Sequence, residues 1–145
     1  SAGPGRRRGG LGVHAVFTID GLDSVYTNLG DGVAAEGAAP FWGFAGGAAG
    51  ASNLLEATPP GGSPRRVGSK ERLAVEPGTR MECWNGGGGG WGDPFAREPE
   101  LVARDVREGY VSPQLARSDY GVAVDAMGNI DERATEKLRK GADQA

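Results

Sequence analysis

The sequence NGGGGGWGDPF, residues 85–95, contains the run of glycines that is most suggestive of a phosphate-binding loop. A P-loop needs a lysine and a hydroxyl directly after its glycines, because the lysine neutralises the phosphates and the hydroxyl holds magnesium. Here Trp91, Gly92 and Asp93 follow instead. The glycines at 87, 89 and 92 also fit a dinucleotide-binding spacing, but any five-glycine run nearly guarantees that match and the predicted helix begins well after it. Nucleotide binding by this loop is therefore the less favoured interpretation.

The competing interpretation of the glycine run is structural. A backbone without side chains lets neighbouring strands, or a neighbouring subunit, approach closely. On this hypothesis a β-branched residue at Gly88, in the middle of the run, should damage folding or assembly. Asp93 stands before Pro94, a position in which an aspartate usually accepts hydrogen bonds within a turn or caps a helix.

The other residues with possible chemistry lack obvious partners in the sequence. His14 is the chain's one histidine, so a histidine-based metal site is not expected. A solvated or hydrogen-bonded strand histidine is favoured over a general base, because no partner is identifiable. Cys83 alternates with Met81 and is interpreted as a small core residue, since a nucleophile would need a histidine and an Asn or Asp nearby. The spacing of Asp20, Asp23 and Asp31 does not establish an acid/base pair. No metal site is predicted.

Composition limits the class of protein. The chain has 145 residues, the length of one domain, and 27 of them are glycine, over twice the average frequency of about 7%. Ordering so many glycines is entropically costly, so we expect the chain to gain stability from a partner. The net charge of −3 and the single cluster of basic residues, 6–8, favour a solvated or partner-facing arm over a nucleic-acid surface. No run of about 18 apolar residues predicts a membrane span, and the lone cysteine is consistent with the cytoplasm.

The periodicity predicts strands in the first part of the chain. Apolar residues recur at every second position in 11–19, which places His14 and Phe17 on opposite faces of the predicted strand. Asp20-Gly21 is typical of a two-residue hairpin turn, so 22–29 should return and pair with 11–19. A long loop around the aromatic segment that contains Trp42 follows. Further strands are predicted by the sequence pattern at 53–58, 70–75 and 79–84.

Helix signals appear after the glycine run. Glu98-Pro99 begins one helix, and Gly109 ends it. Ser112 can cap a second helix from 113 to about 119. The sequence also predicts a strand at 121–125 and a terminal helix at 131–140 with basic residues in its last turn. The expected fold is α+β in a single domain, 1–145, with a β-rich part, 1–92, and a helical tail, 93–145.

The segment GGGGGWGDPFAREPELVARDVREGYVSPQLARSDYGVAVD resembles the C-terminal end of the hydantoinase B/oxoprolinase family, the HyuB-like chains of N-methylhydantoinases, 5-oxoprolinases and acetone or acetophenone carboxylases. Other segments resemble the family in the same order: SAGPGRRRGGLG, PFWGFAGGAAG, VEPGTRMECWNGGGGGWGDP and GNIDERATEKLR. The Gly-Asp-Pro segment with DVREGYVS and YGV is specific in combination. The resemblance covers nearly the whole chain and corresponds to the last part of a much longer family polypeptide.

The resemblance implies membership of an ATP-dependent assembly. Such an assembly activates the oxygen of a lactam, cyclic imide or ketone by phosphorylation and then hydrolyses or carboxylates the product. ATP and magnesium are expected on a HyuA-like partner subunit, with no cofactor bound by this chain itself. The expected partners are HyuA-like and HyuB-like subunits in a hetero-oligomer.

Two functions follow from this resemblance. The chain is either a small subunit or C-terminal fragment of a hydantoinase/oxoprolinase-type hydrolase or ketone carboxylase, inactive alone, or a non-catalytic assembly module of such a complex. No catalytic residue is assigned. The residues expected to face substrate or partner are Gly87, Gly88, Gly89, Asp93, Trp42 and His14.

Overall fold

The computed structural model describes residues 2–30 and 41–142. Within these ranges it contains six β-strands in two antiparallel sheets and three α-helices, and this confirms the α+β class with strands first. The elements are β1 (Val13–Ile19), β2 (Ser24–Asn28), β3 (Leu54–Thr58), β4 (Arg65–Arg66), β5 (Glu71–Val75), β6 (Thr79–Asn85), α1 (Pro99–Arg107), α2 (Pro113–Tyr120) and α3 (Glu132–Ala142), with a 3₁₀ helix at Pro94–Ala96. None of the helices in the described ranges is long and apolar enough to cross a membrane. The predicted loop after residue 30 lies partly outside the described residues, as does Asp31.

The larger sheet has the strand order β1-β6-β3-β4. Alternate residues of β6 point to opposite faces, and Met81 on the inner face is completely buried. Met81 packs with Leu55, Ala57 and Val67 in one hydrophobic cluster, against which Cys83 is partly buried. Burial raises the pKa of the Cys83 thiol, which fits its predicted role as a small core residue.

The predicted hairpin between 11–19 and 22–29 is wrong. β1 pairs with β6 over seven residues, and β2 pairs with β5 in a separate two-stranded sheet. The two pairings form one long antiparallel ribbon that bends where residues 20–23 lie opposite residues 76–78, with Gly78 N donating to Ile19 O at 2.8 Å. Pairing with β6 places β1 beside the hydrophobic cluster, and this tertiary gain overrides the local turn preference of Asp20-Gly21.

The bend contains one more residue on the β1–β2 side than on the β5–β6 side, as in a β-bulge. Ile19 is paired with Thr79 and Ser24 with Val75, so four residues of one strand face three of the other. A bulge of this kind bends a strand and increases its twist. The Asp-Gly pair therefore turns the ribbon from one sheet into the next without reversing the chain.

The predicted helices are confirmed, because their signals are local. Pro99 opens α1, and Gly109 follows its end with φ of 76°. Ser112 Oγ accepts a hydrogen bond from Leu115 N at 3.1 Å and caps α2, which ends at Gly121 with φ of 62°. The helices bury a second cluster, composed of Val102, Val106, Val111, Ala116, Tyr120 and Val122.

The predicted strand at 121–125 is wrong. This segment makes one isolated bridge, between Val124 and Ile130, on either side of a tight loop. Asp125 organises the loop by accepting hydrogen bonds from the backbone N–H groups of Met127 and Asn129, both at 2.9 Å, and from the Asn129 amide at 2.8 Å. The Asp125 carboxylate thus accepts hydrogen bonds from backbone N–H groups that would otherwise pair with a neighbouring strand.

Candidate functional site

Three extended segments pack against one another through their backbones, and we call them the glycine layer: residues 2–10, 41–50 and 85–92. Each segment contacts both of the others, since Ala48 N also donates to Pro4 O at 2.8 Å. Gly88 accepts from Gly3 N at 2.9 Å, and Gly90 both accepts from Phe44 N and donates to Ala48 O at 2.9 Å. The backbone groups of the run are therefore used for contact between segments.

The three segments of the glycine layer lie so close together that most glycines of the run have no room for a side chain. A Cβ added to Gly89 would lie 1.8 Å from Trp42 O, and one added to Gly90 would lie 1.9 Å from Pro4 O. Gly86 and Gly87 meet backbone atoms at 1.7 Å and 2.6 Å. Close backbone approach is therefore the reason for four of the five glycines.

Gly88 is the exception. It is exposed, and a Cβ there would meet only Gly10 N, at an ordinary distance of 3.6 Å. The sequence-based expectation that Gly88 is needed for close approach is wrong, because the run turns this one position outward. Gly87 and Gly89, on either side of it, remain enclosed.

The glycine layer carries an exposed patch of aromatic side chains, which we call the aromatic patch: Phe41, Trp42, Phe44 and Trp91. Trp42 and Phe44 are each 70% exposed, and Trp91 is 50% exposed. Backbone bridges place Trp91 between Arg7 and Phe44, and the Arg7 guanidinium lies 5.9 Å from the centre of the Trp91 ring. Exposed tryptophan and arginine side chains in one place are typical of protein interfaces.

Asp93 has the structural role that its position before Pro94 indicates. Its carboxylate accepts from Phe95 N at 2.9 Å and caps the 3₁₀ helix that follows the glycine run. A Cβ at Gly46 would lie 3.5 Å from Asp93 N, so this turn sits beside the aromatic segment. One oxygen of the carboxylate, Oδ1, is used by the local turn.

His14 lies on the outer face of the larger sheet. Its ring stacks on Trp84 with a centroid distance of 4.9 Å and an angle of 6°, and its Nε2 lies 2.8 Å from Glu82 Oε1. Glu82 also pairs with Arg80 on the same strand. The hydrogen bond from Arg80 is the main reason that the pKa of Glu82 lies below its ordinary value, with His14 contributing further. Glu82 is therefore a carboxylate at neutral pH and fixes the orientation of the imidazole.

The six predicted residues are not brought together into one pocket. A cleft of about 310 Å³ is lined by residues that include His14, Trp84 and Gly86, the first residue of the glycine run. Trp42 meets Gly89 through its backbone, whereas Asp93 is engaged in its own turn. Another cavity, of about 490 Å³, lies at the bend of the ribbon and is lined by Leu73, Val75 and other residues, none of which belongs to the predicted set.

The sequence interpretation missed an arginine–aspartate cluster that joins the N-terminal segment to α1. Asp105 Oδ2 accepts from Arg97 Nη2 at 2.9 Å and from Arg8 Nε at 3.2 Å, and Arg8 also lies over the Tyr110 ring. The expectation of a solvated or partner-facing basic arm is therefore wrong for Arg8, whose side chain is only 16% exposed. The sequence does contain a signal for this cluster. Asp105 lies three residues after Val102, and this spacing places a charged residue on the apolar face of α1, where it needs a partner of opposite charge.

Within residues 2–30 and 41–142, no group of three or more His, Cys, Asp or Glu side chains converges as a metal site would require. His14 and Trp84 present a stacked aromatic surface beside the Glu82 carboxylate.

Comparisons with known proteins extend this picture. The chain is 48% identical over 67 residues to the caprolactamase subunit beta of Pseudomonas jessenii, a match that covers 46% of this chain and 12% of that subunit. It is 44% identical over 57 residues to the acetone carboxylase alpha subunit of Xanthobacter autotrophicus, covering 37% of this chain and 7% of that subunit. The chain therefore spans only a small part of the length of these relatives.

The fold has a counterpart among solved structures. A nucleotide-free structure of acetone carboxylase, which carries out ATP-dependent acetone carboxylation, superposes with a TM-score of 0.74 at 22% identity and covers 99% of this chain but 23% of that chain. This likeness concerns the fold alone. The sequence profile of the hydantoinase B/oxoprolinase family matches residues 1–94, which is more than half of the chain. The chain belongs to the hydantoinase B/oxoprolinase family.

Proposed function

We propose that this chain is the C-terminal region, or a split small subunit, of a hydantoinase B-like polypeptide in an ATP-dependent enzyme that opens cyclic amides. The 48% identity to a caprolactamase subunit carries the proposal. Carboxylation of a ketone is the second candidate reaction, favoured by the 44% identity to an acetone carboxylase subunit. In either case the chain acts only together with the rest of a hydantoinase B-like polypeptide and a hydantoinase A-like subunit.

ATP and magnesium bind to the hydantoinase A-like subunit in this proposal. The amide oxygen takes the terminal phosphoryl group of ATP, and ADP leaves. Water then adds to the activated carbon, the ring C–N bond breaks and phosphate is released, leaving a carboxylate and an amine. This chain contributes surfaces to the assembly: the aromatic patch around Trp42 and the cleft beside His14 face substrate or partner.

A purely structural role is the alternative within the same assembly. Two observations favour it: the Asp93 carboxylate caps a 3₁₀ helix through its Oδ1, and Gly87 and Gly89 are enclosed by backbone. On this alternative the glycine layer holds the aromatic patch rigidly, and the chemistry takes place on other parts of the complex.

Reconstitution tests the proposal. The chain is added to a hydantoinase A-like subunit and a hydantoinase B-like polypeptide that lacks the matching region, and ring opening of caprolactam and release of ADP are measured. We expect lactam-dependent ADP release only when all three are present. Incorporation of bicarbonate into acetone, without lactam opening, would support the carboxylase reaction instead. Absence of both reactions from an assembled complex would contradict the proposal.

One variant separates the catalytic from the structural alternative. His14→Ala removes the ring that stacks on Trp84, while Met127→Ala removes an exposed side chain in the distant 125–129 loop. If His14 serves the reaction, His14→Ala assembles normally but loses turnover, and Met127→Ala keeps both. Equal turnover in the two variants would favour the structural module.

A further inference from the structure

The ribbon formed by β1 and β2 has one long side that pairs with nothing in the described part of the chain. β1 ends the larger sheet, where its partner is β6, and β2 pairs with β5 in a sheet of two strands. Because the two pairings are continuous through the bend, residues 13–28 form a single extended edge. Half of the backbone N–H and C=O groups of an antiparallel edge strand point outward and can pair with another strand.

Apart from the bulge at its bend, this edge lacks the devices that protect free edges in natural sheets. Native edges carry lysines, prolines or inward-pointing charges that prevent pairing with another chain. Neither β1 (VHAVFTI) nor β2 (SVYTN) contains Lys, Arg, Asp, Glu or Pro. The carboxylates nearest to the edge, Asp20 and Asp23, lie in the bend between the strands. An unprotected edge of this length is expected to be covered in the working protein.

β1 also carries apolar side chains that are exposed on both faces of the sheet. Val13 is 60% exposed and Phe17 42% on the inner face, and Val16 is 48% exposed on the outer face. Met81, directly opposite Phe17 on β6, is completely buried. One more strand beside β1 would extend the same hydrophobic layer and cover the exposed part of Phe17.

We propose that this edge receives a β-strand from the remaining hydantoinase B-like polypeptide, which extends the larger sheet beyond β1. The inference rests on the proposed function, since it names the partner of that assembly. The length of a related chain identifies the occupant of the edge. In the acetone carboxylase structure, the region that matches 99% of this chain makes up only 23% of a longer polypeptide. That remaining length supplies the strand, which carries apolar side chains opposite Val13, Val16 and Phe17.

Hydrogen exchange of the backbone amides tests the inference directly. The chain is compared alone, at a concentration where it is monomeric, and in complex with the hydantoinase B-like polypeptide that lacks this region. We expect the outward amides of residues 13–28 to exchange rapidly in the chain alone and to become protected in the complex. The amides of β3, which lies inside the sheet, should be protected in both states.

Lysine substitutions supply a matched affinity measurement. Val13→Lys and Val16→Lys place a charge on the edge at positions that are already half exposed, and we expect each to weaken association at least about tenfold. Met127→Lys makes the same change at a residue that is 74% exposed and far from the edge, and it should bind like the unmodified chain. Thermal unfolding of all three variants shows whether each keeps its fold.

Several outcomes would overturn the inference. Protection of residues 13–28 in the monomeric chain alone would mean that the chain covers its own edge. Protection that depends on the concentration of the chain would identify a second copy as the occupant. Wild-type affinity of both lysine variants would place the contact elsewhere. A complex that forms through this edge but neither opens a lactam nor carboxylates acetone would contradict the proposed function and leave the inference standing. An active complex with unprotected edge amides would support the proposed function and overturn the inference.

Discussion

Arg97 and Asp105 form an ion pair of 2.9 Å in which the two side chains are only 8% and 2% exposed. Arg97 is anchored further by a hydrogen bond from its Nη1 to Arg6 O at 3.2 Å. The pair joins the N-terminal segment of the glycine layer to α1. The Asp105 carboxylate therefore holds side chains from both the N-terminal segment and the residues before α1, since it also accepts from Arg8 Nε at 3.2 Å.

Replacement of that carboxylate should be strongly destabilising. Asp105→Ala leaves Arg97 buried without its partner, and breaking a buried pair on one side typically costs about 3–5 kcal/mol. Glu108→Ala is the matched control, since it removes an exposed pair with Arg104 at 4.0 Å that is worth about 0–1 kcal/mol. Urea unfolding of both variants provides the measurement. Equal losses of stability would contradict a central role for Asp105.

The glycine layer makes a prediction that differs between neighbouring residues. Gly89→Ala forces a Cβ against Trp42 O and should cost about 1–3 kcal/mol or prevent folding. Gly88→Ala adds the same atom where there is space, and its effect should stay within about 0.5 kcal/mol. Thermal unfolding compares the two variants. If Gly88→Ala were the more damaging substitution, the segments would be packed differently from this description.

Acid should weaken the loop that Asp125 organises. The hydrogen bond from the Asn129 side chain is the main reason that the pKa of Asp125 lies below its ordinary value of 3.8. A carboxyl group whose pKa is lower in the folded state stabilises that state above its unfolded pKa, and the contribution is lost as the pH falls through the folded pKa. Stability should therefore decline below about pH 3.8, by less in Asp125→Asn than in the unmodified chain.

The urea midpoint measured from about pH 7 to about pH 2 checks this expectation. Asp23→Asn serves as the control, because the Asp23 carboxylate makes no hydrogen bond or ion pair with the described residues. It should leave the steepness of the acid decline unchanged. An identical decline in Asp125→Asn and the unmodified chain would show that other carboxyl groups control the acid response.

The isolated chain is expected not to bind ATP. The glycine run lacks the lysine and hydroxyl of a P-loop, and its backbone groups are already used within the glycine layer. Titration calorimetry with Mg-ATP should give no saturable heat. A saturable isotherm in the micromolar range would mean that the glycine run, or another segment, binds phosphate.

The sequence predicts the helices and the separate strands well because their signals are local. Ser112-Pro113 and Gly109 mark helix boundaries by chemistry that operates within one turn. The strand partners could not be predicted in the same way. Asp20-Gly21 has strong local turn chemistry, but the partner of β1 lies far along the chain, and pairing with it depends on how the cores pack.

The candidate site was predictable only in part for the same reason. His14 was found as the single histidine, but its partner Glu82 is 68 residues away and is set by the register of β1 against β6. The glycine run was correctly interpreted as a place of close backbone approach, whereas the outward turn at Gly88 depends on all three segments. Asp105 could have been found from its position on the apolar face of α1.

The bend in the ribbon determines where the length of this chain can change. Strands pair on both sides of it, so residues 20–23 and 76–78 are not a free loop. Residues 20–23 hold one residue more than residues 76–78, yet the strands remain paired on both sides of the bend. A bulge is the place where an antiparallel pair accommodates an unmatched residue. A change of one residue within the bend should therefore be tolerated better than the same change inside β1 or β6, where it would reverse the face of every following side chain.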